Sequence, residues 1–152
     1  MTRGIQQNRE SFYSDNDSYI SPIICYESVY GEYVTKYFNK GYGILAIITN
    51  DAWWGNSQGH KQHMSYARLR AIENRKNIIR SANTGISGII NSRGDIVIKT
   101  NYDEEIVLNS IAYENNNLTF YIKYGDYIFR ISLMLFLIIF SYFISSKIRR
   151  KN

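Results

Sequence analysis

The stretch YIFRISLMLFLIIFSYFISS, residues 127–146, contains a single charge, Arg130. As a helix it is about 30 Å long at about 1.5 Å per residue, the thickness of a bilayer's hydrocarbon core. It is apolar all round and has no polar face of the kind a half-buried helix turns to water. This predicts a membrane-spanning helix over a buried core helix. Arg130, near the start, can snorkel toward headgroups, and Tyr124, Tyr127 and Tyr142 suit interfacial belts. The basic cluster KIRRKN, residues 147–152, predicts a cytoplasmic tail by the positive-inside rule, with residues 1–126 on the other side of the membrane.

The formal net charge of +5 is a property of that tail. Residues 1–126 hold 13 Lys+Arg against 13 Asp+Glu, and the last 26 residues add five basic groups and no acid. A neutral body without a basic stripe excludes nucleic acid as the expected partner. With 152 residues the chain fits one domain of modest core. Residues 1–17 read as a polar segment with no apolar export signal, which conflicts with a body placed outside. An exported domain normally uses cysteines in pairs, so the lone Cys25 is either inert and buried or kept free for chemistry.

Between residues 18 and 126 the hydrophobic pattern alternates between two periods. SYISPIIC predicts a strand ending at Cys25. ESVYGEYVTKYFNKG predicts a helix with Tyr26, Tyr30, Tyr33 and Tyr37 on one face and Gly41 closing it. GILAIITN is a continuous apolar strand running into the loop NDAWWGNSQG. His60 to about Asn77 is helical, with Met64, Ala67, Ala71 and Ile72 on one side and Arg68, Arg75 and Lys76 near the other. NIIRSAN, ISGIIN and DIVIKT follow as strands, the last two joined by a hairpin at SRG, and EEIVLNSIAY reads as one more. The order β-α-β-α-β-β-β indicates an α/β fold with a mixed sheet covered by helices on one face. So small a layer leaves the other face bare unless more chain or another subunit covers it.

Cys25 stands at the carboxyl end of a strand and the start of a helix, where open α/β sheets place reactive groups. First-turn amides and the helix dipole there favour a thiolate, and the next amide suits half of an oxyanion hole. A small buried side chain is the other reading. Glu27 is a proton carrier, a hydrogen-bonding anchor, or simply an acid at home in a first turn. His60 and His63 share one helical face, but a zinc helix needs further ligands that the chain lacks, so no metal centre is expected. Ser87 is not in a GxSxG elbow, and Gly85 and Gly88 suit close strand packing or a bulge. Trp53 and Trp54 form either a hydrophobic plug or the wall of an apolar-substrate site.

PIICYESVYGE, ITNDAWWGNSQGHKQH and ARLRAIENRKNIIRSANTGISGIINSRGDI, in this order over residues 18–112, resemble the C-terminal part of the carbon-nitrogen hydrolase (nitrilase) domain. Among its branches they are most similar to the apolipoprotein N-acyltransferases, which a terminal membrane helix also fits. The resemblance implies part of an αββα sandwich on the outer face of a bacterial inner membrane, and no cofactor. It implies transfer of an acyl chain from a phospholipid, through a cysteine thioester, to the N-terminal diacylglyceryl-cysteine of an apolipoprotein. Cys25 matches the nucleophile, Tyr26 and Glu27 the two positions after it around the catalytic centre, and Trp53, with Trp54 beside it, the substrate-facing aromatic. The family also uses an upstream glutamate base and a lysine, and Glu10 and Arg9 lie in no matching motif. The chain therefore reads as a C-terminal piece, inactive alone, whose missing Glu and Lys an upstream polypeptide would supply. A membrane-anchored binding module and a nitrilase-type amidase are the other two readings.

Overall fold

In the computed structural model, residues 9–13 and 18–149 are described; residues 1–8 and 14–17 of the polar N-terminal segment and 150–152 of the tail lie outside them. The strands are β1 (Phe12–Tyr13), β2 (Tyr19–Ile24), β3 (Ile44–Asn50), β4 (Ile78–Asn83), β5 (Gly88–Ile90) and β6 (Ile96–Lys99). The helices are α1 (Gly31–Thr35), α2 (Gln58–Asn74), α3 (Phe120–Tyr124) and α4 (Tyr127–Arg149). The six strands form one sheet in chain order. β2, β3 and β4 are parallel, with Ile23 opposite Ile47 and Leu45 opposite Ile78, and the remaining pairs are antiparallel. This is the mixed α/β sheet that the alternating periods predict, with the extra two-residue edge strand β1.

Helices cover one face. Ile23, Leu45, Ile47, Ile78 and Ile90 point into a core closed by Val34, Phe38, Met64, Ala67 and Ala71. The alternate residues of the same strands stand open, with Ile24 55% and Ile48 53% exposed. β3 is apolar on both faces, the pattern of a strand made to be covered twice, and the described residues cover one of them.

Two expectations fail. The helix expected after Cys25 is three pieces: a 3-10 turn Cys25–Val29, the short α1, and a second 3-10 turn Lys36–Phe38. Tyr30 is extended (φ −89°, ψ 99°) and interrupts it. Gly31 follows because a Cβ there would fall 2.5 Å from Arg70 Nη1. The break lies between the tyrosines, so they share no face: Tyr33 and Tyr37 pack on the core, while Tyr26 and Tyr30 are exposed. The strand expected at EEIVLNSIAY does not form; the chain from 104 to 119 is irregular, and Val107 is 91% exposed. Side chains hold this segment in place of a ladder, as when Asn77 Nδ2 donates to the Tyr113 carbonyl at 2.7 Å.

Lys76, expected near the polar side of α2, lies beyond its end and is wholly buried. α2 stops at Arg75 in the left-handed conformation (φ 53°), and the turn sends the Lys76 amine inward. It donates to the carbonyls of Gly41, Asn115 (2.8 Å) and Asn117 (3.0 Å). Burial pushes this amine down to about 8, with Glu114 acting the other way. Between pH 8 and the ordinary value of 10.5, the unfolded chain binds a proton that the folded chain has released, so stability rises with pH across that window. The gain is on the order of 3 kcal/mol. Urea titrations across the window should show this rise in the wild type and its loss in Lys76→Met, and equal pH slopes would refute it.

The hairpin at SRG joins β5 to β6 with a register shift at Ile89/Ile90. Gly88 lies beside that irregularity, where a Cβ would fall 2.6 Å from the Ile98 carbonyl oxygen. α4 runs for 23 residues, and an 18-residue window of it has a mean hydropathy of 2.2 and no buried residue. It is long and apolar enough to cross a membrane. Its start is bound to the body: Arg130 Nη2 donates to Glu32 Oε1 at 2.5 Å, and the Asp126 amide donates to the same oxygen at 2.7 Å.

Candidate active site

Cys25 is the first residue after β2 and has φ 51°, the left-handed region. That conformation costs an L-residue roughly 1–2 kcal/mol, and it persists only where neighbours over-determine it. Glu27 does so from one side. Its Oε2 accepts the Ile24 amide at 2.9 Å and its Oε1 accepts the Tyr33 hydroxyl at 2.9 Å. Burial, then hydrogen bonding to Tyr37 and Glu27, pushes the Tyr33 phenol up, so it stays a donor. Of the roles open to Glu27, the geometry displays the hydrogen-bonding anchor.

The ends of three parallel strands bring the other groups together. Cys25 follows β2, Asp51 follows β3, and Arg80 lies on β4 facing the helices. From α2, His63 reaches down to them. Asp51, wholly buried, accepts from His63 Nδ1 at 2.9 Å on Oδ1 and from Arg80 Nη2 at 2.5 Å on Oδ2. Burial pushes the Asp51 carboxyl up, but its hydrogen bond to His63 and the Arg80 charge together hold it below its ordinary value. Asp51 is therefore an anion among buried partners. Thr49 Oγ1 bridges to the sulfur, lying 3.0 Å from Asp51 Oδ1 and 3.3 Å from Cys25 Sγ. Gly85 passes over Asp51 so closely that a Cβ would fall 2.7 Å from the Asp51 Cβ.

His63 Nε2 lies 3.0 Å from Ser28 Oγ. Asp51, His63 and Ser28 thus have the spacing of a hydrolytic triad, but Ser28 is wholly buried and its hydroxyl donates to the Cys25 carbonyl at 2.9 Å. No substrate reaches it. Ser87 is no nucleophile candidate either; its hydroxyl is bonded to the backbone of Ala82 at 3.0 and 3.3 Å. His60 does not join His63: its Nδ1 faces the Gly55 carbonyl at 3.2 Å and its ring packs on Tyr102. Among the described residues no cluster suited to a metal ion exists.

The aromatic residues divide. Trp53 is 86% exposed, at the tip of the short turn Ala52–Trp54. Trp54 turns back, its ring 5.4 Å from that of His63 and 6.3 Å from that of Tyr26. Tyr26 in turn lies 6.0 Å from His63 and is half exposed. The sequence reading missed Asp51, His63 and Arg80 as a group. One signal for it was present: Arg80 alternates with Ile78 on a strand face that must be buried, and a buried cation demands a counter-ion.

The family model for carbon-nitrogen hydrolases matches residues 5–115. The apolipoprotein N-acyltransferase of Geobacter metallireducens is 42% identical over 107 residues, covering 70% of this chain and 20% of that protein. That of Wigglesworthia glossinidia brevipalpis is 36% identical over 135 residues, covering 87% and 26%. The chain therefore spans about a fifth to a quarter of the length of these curated relatives. Among solved structures, a carbon-nitrogen hydrolase from Helicobacter pylori superposes with a TM-score of 0.59 at 16% identity, over 68% of this chain and 43% of that one. In the structure of a mutant amidase from Nesterenkonia sp., the acetamide moiety of fluoroacetamide is covalently added at the active site cysteine; it superposes with a TM-score of 0.54 at 17% identity, over 64% of this chain and 39% of that one.

Proposed function

We propose that this chain, which belongs to the carbon-nitrogen hydrolase family, is the nucleophile-bearing portion of a membrane-anchored apolipoprotein N-acyltransferase. The observation that carries this reading is the link between the cysteine turn and the apolar helix. Glu32, on α1 just after the turn, is hydrogen-bonded to both Asp126 and Arg130 at the foot of α4. The sulfur is thereby tied to an element suited to lipid, which a soluble amidase does not need. The names of the relatives and the covalent adduct on the amidase cysteine support the same assignment.

In this reading Cys25 Sγ attacks the ester carbonyl of a phospholipid. The S–C bond forms, the ester C–O bond breaks, and the lysophospholipid leaves with the proton. The α-amino group of an apolipoprotein's diacylglyceryl-cysteine then attacks the thioester, forming the amide N–C bond and returning the sulfur as a thiol. The Tyr26 amide serves as part of the oxyanion hole, and Trp53 and Trp54 face the acyl chain. The base and the lysine come from polypeptide beyond this chain. That polypeptide also lays a second sheet over the open face of Ile24, Ile48 and Ile79 to complete the αββα sandwich, and this chain alone is inactive. α4 spans a bacterial inner membrane with the body outside and the basic tail in the cytoplasm.

The test is the intact mass of the native protein, extracted from its own membranes with thioesters preserved. The expected result is a species much heavier than 17.8 kDa that ends in this sequence and carries an acyl adduct on Cys25. A bare 17.8 kDa chain without adduct would identify a membrane-anchored remnant instead.

A further inference from the structure

Cys25 is in a conformation that its own backbone resists, and the other side of the turn shows what holds it there. We propose that Ser28 and His63 are positioning residues for Cys25, acting through one chain of hydrogen bonds. The proposal rests on the reading of Cys25 as the nucleophile. Ser28 has one hydroxyl hydrogen, and the carbonyl of Cys25, 2.9 Å away, can only accept it. At the contact with His63 Nε2, 3.0 Å, Ser28 Oγ therefore accepts and the ring donates; because it donates from Nδ1 as well, it is the doubly protonated imidazolium, paired with the Asp51 carboxylate. The other ring nitrogen donates to Asp51, whose second oxygen is held by Arg80. The order is thus Arg80 to Asp51, Asp51 to His63, His63 to Ser28, and Ser28 to the peptide group of Cys25. Every member from Ser28 to Arg80 is buried, so water cannot substitute for a lost link.

With Glu27 pinning the amide before the cysteine and Ser28 the carbonyl after it, the left-handed turn is clamped at both ends. If the Ser28 clamp is released, the backbone relaxes toward negative φ. Sγ then swings away from the Thr49 hydroxyl, 3.3 Å distant, and from the charge of Arg80, which acts on it. The charged and titratable groups around the cysteine turn are Tyr26 and Glu27 from the turn itself, Asp51 after β3, His63 from α2 and Arg80 from β4.

Two histidine replacements separate this role from a merely structural one. Gln places its amide nitrogen near the position of Nε2 and keeps a donor for Ser28, whereas Asn places its own near Nδ1 and keeps a donor for Asp51. Alkylation of the protein in detergent by iodoacetamide, read by mass spectrometry on the peptide that carries Cys25, the one cysteine of this sequence, reports on it alone, with near-UV circular dichroism as the check on folding. His63→Asn and Ser28→Ala should slow alkylation by about tenfold or more, and His63→Gln should stay near the wild-type rate. The opposite ranking of the two histidine variants would mean that His63 serves Asp51 only, and an unchanged rate in Ser28→Ala would overturn the proposal outright. Ser28→Ala removes one oxygen and no carbon, so it gives an answer even where a histidine variant unfolds. The acyl adduct on wild-type Cys25 is a separate readout: its absence defeats the thioester reading and leaves the alkylation ranking to stand or fall on its own.

Discussion

In the complete protein, Cys25→Ser is expected to abolish the proposed N-acylation of lipoproteins, by at least about a thousandfold, and to leave the fold intact. The oxygen takes nearly the same place and stays within hydrogen-bond reach of Thr49, whose hydroxyl lies 3.3 Å from the sulfur, so the packing is kept. What is lost is nucleophilicity: a hydroxyl ionises far less readily than a thiol, and a nucleophile removed from a coupled catalytic set takes most of the rate with it. Mass spectrometry of a lipoprotein N-terminus reads the transfer, and circular dichroism reads the fold. Full activity in the variant, or loss of activity only through unfolding, would remove Cys25 from the reaction.

The second large effect is on stability. Arg80→Met leaves Asp51 buried among Thr49, His63 and Gly85 without its guanidinium. Breaking a buried pair by removing one partner costs about 3–5 kcal/mol, because Asp51 Oδ2 loses its charge-assisted hydrogen bond and no water reaches it as a replacement. For a chain of this size that corresponds to a fall of roughly 10 °C in Tm. Arg80→Met combined with Asp51→Leu should recover a large part of the loss, since an apolar pair of similar volume no longer contains an orphaned charge. Thermal unfolding of the wild type, both single variants and the double variant in detergent completes the cycle. A double variant no more stable than Arg80→Met would mean that the cluster is required as a hydrogen-bonded unit and not as a compensated charge.

Much of the fold could be read from residue periods. The apolar runs at 19–24, 44–50 and 78–83, the helical stretch between the last two, and the largely apolar residues 127–146 each specify an element through side chains that are neighbours along one segment. The same holds for the placement of Cys25, because the end of an apolar strand is visible without knowing what packs on it. The failures share one cause. Tyr30 is extended because Gly31 must admit Arg70, 39 positions later, and residues 104–119 are irregular because Lys76 and Asn77 take their carbonyls. Periodicity carries no information about a partner so far along the chain.

The site divides along the same line. A lone cysteine after a strand, an acid two residues on, a tryptophan pair and a membrane-length helix follow from composition and order, and the resemblance of their motifs to a known family is what attaches a chemistry to them. The network behind the sulfur does not follow from them. Ser28, Asp51, His63 and Arg80 are 52 positions apart from first to last, each ordinary in its own segment. They meet only because three parallel strands end side by side under α2, and buried charges and hydroxyls in so dry a place must satisfy one another.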